Sequence, residues 1–354
     1  MSRLTRPDLE QLPSYVPGRS APGAIKLASN EVPYGPLPGV VEAITQAAAQ
    51  AHRYPDMGVV DLREALAEWY GVAADRIATG CGSVALTEHL VQASCQPGDE
   101  IVYAWRSFEA YPIIAAAGAA TSVRVPNTAG HGHDLTAMAA AVTDRTRVVL
   151  VCNPNNPTGT AAGRAELDAF LAAVGEDVLV VVDEAYREFV TDPDVPDALA
   201  TYLDRPNVVV LRTLSKAWGL AGMRIGLLVA EAEVVAAVRK VLTPFSTSAA
   251  AQAGALAALR QPAEMRRRCD LVIAERSRVT EAVRKLVPPP AVVPQSQSNF
   301  LWLPVGEAAA PFAAACAEGG VLVRPFAGEG VRVTIGTPEE NDAFLGLAAQ
   351  FFAA

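Results

Sequence analysis

The chain is 354 residues long, 51% hydrophobic and 19% charged, and its 29 Lys and Arg against 38 Asp and Glu give a formal net charge of −9; it is long enough for about two domains and too apolar to stay disordered. No basic block is present to neutralise a phosphate backbone, so nucleic acid is not an expected partner. Its five cysteines, an odd number with no CxxC pair and no histidine at metal-ligand spacing, argue against a disulfide scaffold and against a metal centre.

The first thirty residues are punctuated by prolines and read as an arm rather than a domain. They carry charges but no apolar core of a signal peptide, and no run in the chain approaches the ~18 apolar residues of a membrane span, so the expected address is cytoplasmic. From about Ile77 to Ala230, short β-branched runs alternate with alanine-rich stretches of helical periodicity, the pattern of βαβ units and a mostly parallel sheet. The runs predict strands over 100–104, 122–125, 147–152, 178–182, 208–212 and 225–230, and helices over 84–94, 135–142 and 164–174. His131 and His133 flank a glycine in a polar stretch and read as loop residues. After Pro244 the texture changes to a long charged helix over 264–286, a cluster Pro288, Pro289 and Pro290, strands over 299–303, 321–323 and 331–335, and a closing helix over 338–352 with Leu345, Ala348 and Phe352 on one face. The expected division is an N-terminal arm and lid over 1–30, a large domain over 31–243 and a smaller α+β domain over 244–354.

Four polar segments fall at or beside predicted strand ends, where ligands gather in open α/β sheets. Thr213-Leu214-Ser215-Lys216 puts two hydroxyls just before a lysine, and Arg224 follows eight residues later, an anion site beside an amine. A lone lysine after a strand is ordinarily a surface residue. Asp183-Glu184-Ala185-Tyr186 ends a buried run with a carboxylate, which taken alone reads as a turn or cap residue. Asn153-Pro154-Asn155-Asn156-Pro157-Thr158-Gly159 taken alone is a double turn. Gly80-Cys81-Gly82-Ser83 opens the helix that starts near Val84, where free N–H groups and the dipole favour phosphate. It matches neither the dinucleotide nor the P-loop fingerprint.

In this order and spacing the four segments resemble those of the fold-type I, pyridoxal-phosphate-dependent aminotransferases, and the resemblance spans essentially the whole chain. Within that superfamily NPNNPTG, VVDEAY, TLSKAWGLAGMRIG and VRVTIGTPEEN resemble the histidinol-phosphate aminotransferase group. RYPDMG (53–58), GCGSVAL (80–86) and WRSFEAYP (105–112) resemble the actinobacterial aromatic-amino-acid (phenylalanine) aminotransferases. The resemblance implies an α/β fold, a large domain with a mostly parallel central sheet between helices and a smaller α+β C-terminal domain. It also implies pyridoxal 5′-phosphate as cofactor, held covalently by Lys216, which then acts as the base at the substrate's Cα. Burial and the cationic Arg224 are expected to lower the pKa of that lysine. Asp183 would pair with the pyridine nitrogen, Asn156 and Tyr186 would reach the ring's phenolic oxygen, and Phe108 would stack on its face. The phosphate would sit on Gly82, Ser83 and Val84, with Thr213, Ser215 and Arg224 completing the shell. Tyr54 would reach the phosphate of the neighbouring subunit, which makes the expected protein a homodimer. Arg332 would bind the substrate carboxylate, Arg324 would be a second cation, and Asn156, Tyr15 and Asn30 would also contact substrate, the last two from the arm. Tyr15, Phe108 and Phe326 are candidates to line an apolar slot.

The expected activity is transfer of the amino group between aromatic amino acids (Phe, Tyr, Trp) and 2-oxo acids such as 2-oxoglutarate, with histidinol-phosphate aminotransferase as the alternative. A decarboxylase or lyase would share Lys216, Asp183 and the phosphate shell. A non-catalytic sensor domain would need a helix-turn-helix segment, for which the thirty-residue arm has no room.

Overall fold

A computed structural model of the chain describes Arg6, Leu12, Ser14, Tyr15, Gly18 and residues 20–353. A short strand, β1 (Ile25–Lys26), comes first. The central stretch supplies β2 (Ile77–Cys81), β3 (Glu100–Trp105), β4 (Thr121–Pro126), β5 (Thr146–Cys152), β6 (Leu179–Asp183), β7 (Val208–Thr213) and β8 (Ile225–Val229). Runs such as LVVVD in β6 and VVVLRT in β7 are apolar on both faces, a composition stable as strand only when both sides are covered. They form one seven-stranded sheet in the order β2-β8-β7-β6-β5-β3-β4. The period of two divides their side chains between two cores. Val149, Val151, Val180, Val182, Val208 and Val210 pack on one side, and Val148, Leu150, Val181, Val209 and Leu211 on the other. Each such side chain, when fully buried, contributes about 1.5–3 kcal/mol.

Strands β3 to β7 pair in parallel, with helices Tyr111–Ala117, Leu135–Ala140, Arg164–Val174 and Ala198–Tyr202 in the connections. Strand β8 instead runs antiparallel to both β7 and β2. The connection from β7 contains only the short 3₁₀ turn Ala221–Met223, too little chain for the helical crossover a parallel neighbour requires. The strand β2 is additional to the predicted set, because IATGC carries a glycine and only two β-branched residues. Since β8 is reversed twice over, β2 runs in the direction of β7. The carboxyl ends of β2, β3, β5, β6 and β7 and the amino end of β8 therefore meet along one edge.

The C-terminal part adds β9 (Phe300–Leu303), β10 (Val321–Leu322), β11 (Arg324–Phe326) and β12 (Gly330–Thr334). An antiparallel sheet takes the order β11-β12-β9, while β10 pairs in parallel with β1. The end of the predicted arm is thus strand: Leu27 N–H donates to the Leu322 carbonyl at 2.8 Å, and Thr334 N–H to the Leu27 carbonyl at 2.9 Å. Helix Pro262–Leu286 runs as the charge pattern predicts. The last helix, Pro338–Ala353, buries Asn341, Phe344 and Ala348, with Leu345 and Phe352 half-buried at the edges of that stripe. Among the described residues no helix is long and apolar enough to cross a membrane.

Candidate active site

A cleft of about 710 Å³ opens at the shared strand edge. It is lined by Lys216, Asp183, Tyr186, Gly82, Ser83, Val84, Phe108, Asn156, Thr213, Ser215, Arg224, Arg332, Arg324, Tyr15 and Asn30, every predicted site residue except Tyr54 and Phe326. Phe326 lies outside it, packed edge-on against Trp302 at 5.4 Å.

Asp183 closes β6 with only 6% of its surface exposed. Its Oδ2 accepts the Tyr111 hydroxyl at 3.0 Å and its Oδ1 accepts the Ala185 N–H at 3.2 Å. Burial pushes this carboxyl up to about 6, while the two donors pull the other way.

Lys216 follows β7 on a tight turn. Ser215 N–H donates to Thr213 Oγ1 at 3.1 Å, and Gly219 N–H to the Lys216 carbonyl at 2.9 Å, so the turn fixes where the lysine stem departs. The amine donates to the Ser29 carbonyl at 3.0 Å. Burial brings its pKa down to about 7, helped by Arg332 and, more weakly, Arg224 and Lys26, and opposed by Glu31. Arg224 does act in the expected direction, but Arg332 acts more strongly.

The anion cradle is built around two glycines. Helix Gly82–Ser94 opens at the end of β2, and Gly82 has φ +80, which favours glycine. A Cβ on Gly82 would meet Arg224 Nη2 at 2.6 Å, and one on Gly226 would meet the Ser83 nitrogen at 2.2 Å. The guanidinium, the opening of the helix and Ser215 line the same part of the cleft, a set suited to a phosphate dianion; Thr213 lines it too, its hydroxyl donating to the Ile225 carbonyl at 3.1 Å. Among the described residues no group of His, Cys, Asp and Glu is arranged to hold a metal.

Asn156 comes from a loop pinned on both sides. Ser107 Oγ donates to Asn155 Oδ1 at 2.8 Å, and a Cβ on Gly159 would meet Ser296 Oγ at 2.4 Å. Arg332, on β12 and 8% exposed, donates from Nη1 to Asn156 Oδ1 at 2.6 Å and from Nη2 to the Ala28 carbonyl at 2.7 Å. Its Nε is buried without a hydrogen-bond partner. Burial lowers its pKa, opposed by Tyr186 and Tyr15.

The side chain of Asn30, predicted to contact substrate, is engaged at both ends. Nδ2 donates to the Tyr186 hydroxyl at 2.9 Å, and Oδ1 accepts from Thr334 Oγ1 at 3.1 Å. Arg324 pairs with Glu109 at 2.8 Å. Tyr15 is 53% exposed at the cleft. Tyr54 is 82% exposed and stacks on Phe245 with ring centroids 4.6 Å apart, away from its own chain's cleft. Sequence reasoning gave no role to Tyr111, Glu109 or the Ala28 and Ser29 carbonyls. Tyr111 had a signal, three residues after Phe108 at a helix start; the carbonyls had none, because any residue type supplies one.

Residues 22–346 match the family described as aminotransferase class I and II. An aromatic amino acid aminotransferase of Rhodococcus jostii is 56% identical over 348 residues, covering 98% of this chain and 96% of that protein. One of Streptomyces avermitilis is 54% identical over 350 residues, covering 98% and 97%. The solved structure of histidinol-phosphate aminotransferase from Sinorhizobium meliloti in complex with pyridoxal-5′-phosphate superposes with a TM-score of 0.85 at 28% identity, covering 93% of this chain and 91% of that one.

Proposed function

The chain belongs to the class I and II aminotransferases, and on that footing we propose that it moves the amino group between aromatic amino acids and 2-oxo acids such as 2-oxoglutarate, with pyridoxal 5′-phosphate as its cofactor. The observation that carries this reading is the meeting, at one strand edge, of an amine brought down to about 7, a carboxylate at the sheet's centre and a glycine-lined anion cradle.

The residues present fit that cofactor. Gly82, Ser83, Val84, Thr213, Ser215 and Arg224 would hold its phosphate, Asp183 its ring nitrogen, Asn156 and Tyr186 its phenolic oxygen, and Phe108 one ring face. When bound, pyridoxal phosphate supplies the electron sink and carries the amino group between the two half-reactions. The protein does the rest with its own side chains. Lys216, with its pKa near 7, can accept the proton leaving the substrate's α-carbon at neutral pH and return it. Asp183, ionised above about 6, would hold a positive charge at the ring nitrogen. Burial raises the pKa of the Tyr186 phenol, so it keeps its proton; because its oxygen accepts from Asn30, that proton is left to donate. Arg332 binds the substrate carboxylate with the donors it otherwise gives to Asn156 and Ala28 and with its unpaired Nε. That contact fixes which bond at the α-carbon faces Lys216.

Aromatic specificity rests on the two relatives described above. Comparing kcat/KM for phenylpyruvate and for histidinol phosphate tests it, and a strong preference for the phosphate ester sinks the aromatic reading. The homodimer belongs to the same proposal. The exposed Tyr54–Phe245 stack, with Met57 and Val60 also exposed, is the apolar surface that would be covered, Tyr54 reaching the neighbouring site. Sedimentation of wild type and Tyr54→Ala checks it; a monomer with undiminished cofactor affinity rules it out.

A further inference from the structure

Asp183 has a side-chain partner for which the aminotransferase reading finds no use. Tyr111 is 1% exposed at the start of helix Tyr111–Ala117, and its hydroxyl donates to Asp183 Oδ2 at 3.0 Å. No other side chain among the described residues hydrogen-bonds that carboxylate; Oδ1 takes only the Ala185 N–H. The phenol ring is wedged edge-on between Tyr103 at 5.7 Å and Phe108 at 5.6 Å, so the hydroxyl has a fixed place. The other titratable groups facing the pair are Cys152 on β5, in register with Asp183, and Tyr186 on the turn that follows. Burial holds both in their neutral forms.

We propose that Tyr111 is the positioning residue that keeps Asp183 ionised and aimed at the ring nitrogen of the bound cofactor, an inference that rests on the role given to Asp183 above. Burial and the neighbouring carboxylate raise the pKa of this phenol well above the ordinary range, so it keeps its proton and has it to donate to an ionised carboxylate. Its donation lowers the pKa of a carboxyl that burial alone would push higher than about 6. The same ring braces Phe108, so one side chain sets both the face and the polar end of the ring's seat.

The test uses the full chain stripped of cofactor, with pyridoxamine 5′-phosphate as probe, which carries the ring nitrogen and phosphate but no aldehyde for Lys216. Its dissociation constant is measured from pH 5 to 8 for wild type, Tyr111→Phe, Asp183→Asn and the double variant. Lys216 titrates in all four, so its effect cancels in the cycle. Tyr111→Phe keeps the ring contacts and loses the donor. It is expected to weaken binding at neutral pH about tenfold or more, as for a hydrogen bond to a charged group, and to move the acid-side midpoint upward from about 6. In the Asp183→Asn background the same change should alter affinity less than about twofold. Unchanged affinity and midpoint in Tyr111→Phe overturn the inference alone, provided Asp183→Asn binds more weakly than wild type. Asp183→Asn binding like wild type overturns the role of Asp183 and the inference together. A Tyr111→Phe loss that persists undiminished beside Asp183→Asn makes the tyrosine a packing residue only. Should Tyr111→Phe fail to fold, Tyr111→3-fluorotyrosine, a stronger donor of similar shape, should move the midpoint downward, and an unmoved midpoint counts against the proposal.

Discussion

On one wall of the cleft, Asp183, Thr213, Ser215 and Lys216 stand at the ends of adjacent parallel strands and on the turns that leave them. On the other, Arg332 and Asn30 are placed by contacts between distant segments: Asn30 N–H reaches Thr334 Oγ1 and Arg332 reaches the Ala28 carbonyl, each across 304 residues. The first wall is part of the sheet and cannot shift without breaking ladder hydrogen bonds. The second rests on a separate three-stranded sheet, tied to the residue after β1 by the Thr334–Leu27 hydrogen bond. On the proposed reading the first wall holds the cofactor and the second the substrate.

Substitutions on the two walls should therefore separate kinetically. Lys216→Ala should cost the most, at least about 10⁴-fold in transamination, from the lost base and the lost covalent hold; circular dichroism should show the fold intact. The same variant carries a pH signature. With a folded pKa near 7 against the ordinary 10.5, the unfolded chain binds more protons between these values. Linkage makes cofactor-free stability rise as pH climbs through that window, by roughly 2–4 kcal/mol once the lysine's partial exposure is discounted. Denaturant titrations at pH 7 and 10 should show this rise in wild type and its loss in Lys216→Ala. Asp183→Asn comes next, with kcat down about 10²–10³-fold and KM for the amino acid little changed. Arg332→Lys exchanges a planar fork for a point charge and should raise KM for the amino acid about tenfold or more, while cofactor affinity stays put. If that affinity fell equally, the two walls would be one unit. Asn30→Ala is the mildest: losing the bond to Tyr186 and placing alanine at φ 55 should lower kcat/KM by about five- to tenfold, with the cofactor still held.

The same contrast explains what could be read from the sequence. The cofactor wall is written in contiguous words, because a strand end followed by a tight turn puts its chemistry within a few residues; Thr213 to Lys216 and Asn153 to Gly159 are legible for that reason. The direction of β8 was not legible. Its apolar run looks like its parallel neighbours, and only the short connection after Lys216 shows that it must reverse. Strand β1 was hidden too, since its residues gain strand geometry only by pairing with Val321 and Leu322. Asn30 was singled out, but its partners Tyr186 and Thr334 come from elsewhere in the fold, and local spacing carries no trace of them. Glu109 sits inside a recognised motif, yet its pairing with Arg324 spans 215 residues and is a property of the folded cleft.

The lowered basicity of Lys216 reaches beyond catalysis. The sequence holds only four lysines, and at Lys216 an unprotonated nitrogen is well populated near pH 7. In the cofactor-free chain, amine-reactive esters and aldehydes offered at neutral pH therefore meet a ready nucleophile on the floor of the cleft. Anything seated above it blocks their approach, so the mass of reagent taken up at this position becomes a tally of accessible clefts, read by peptide mapping without any turnover at all.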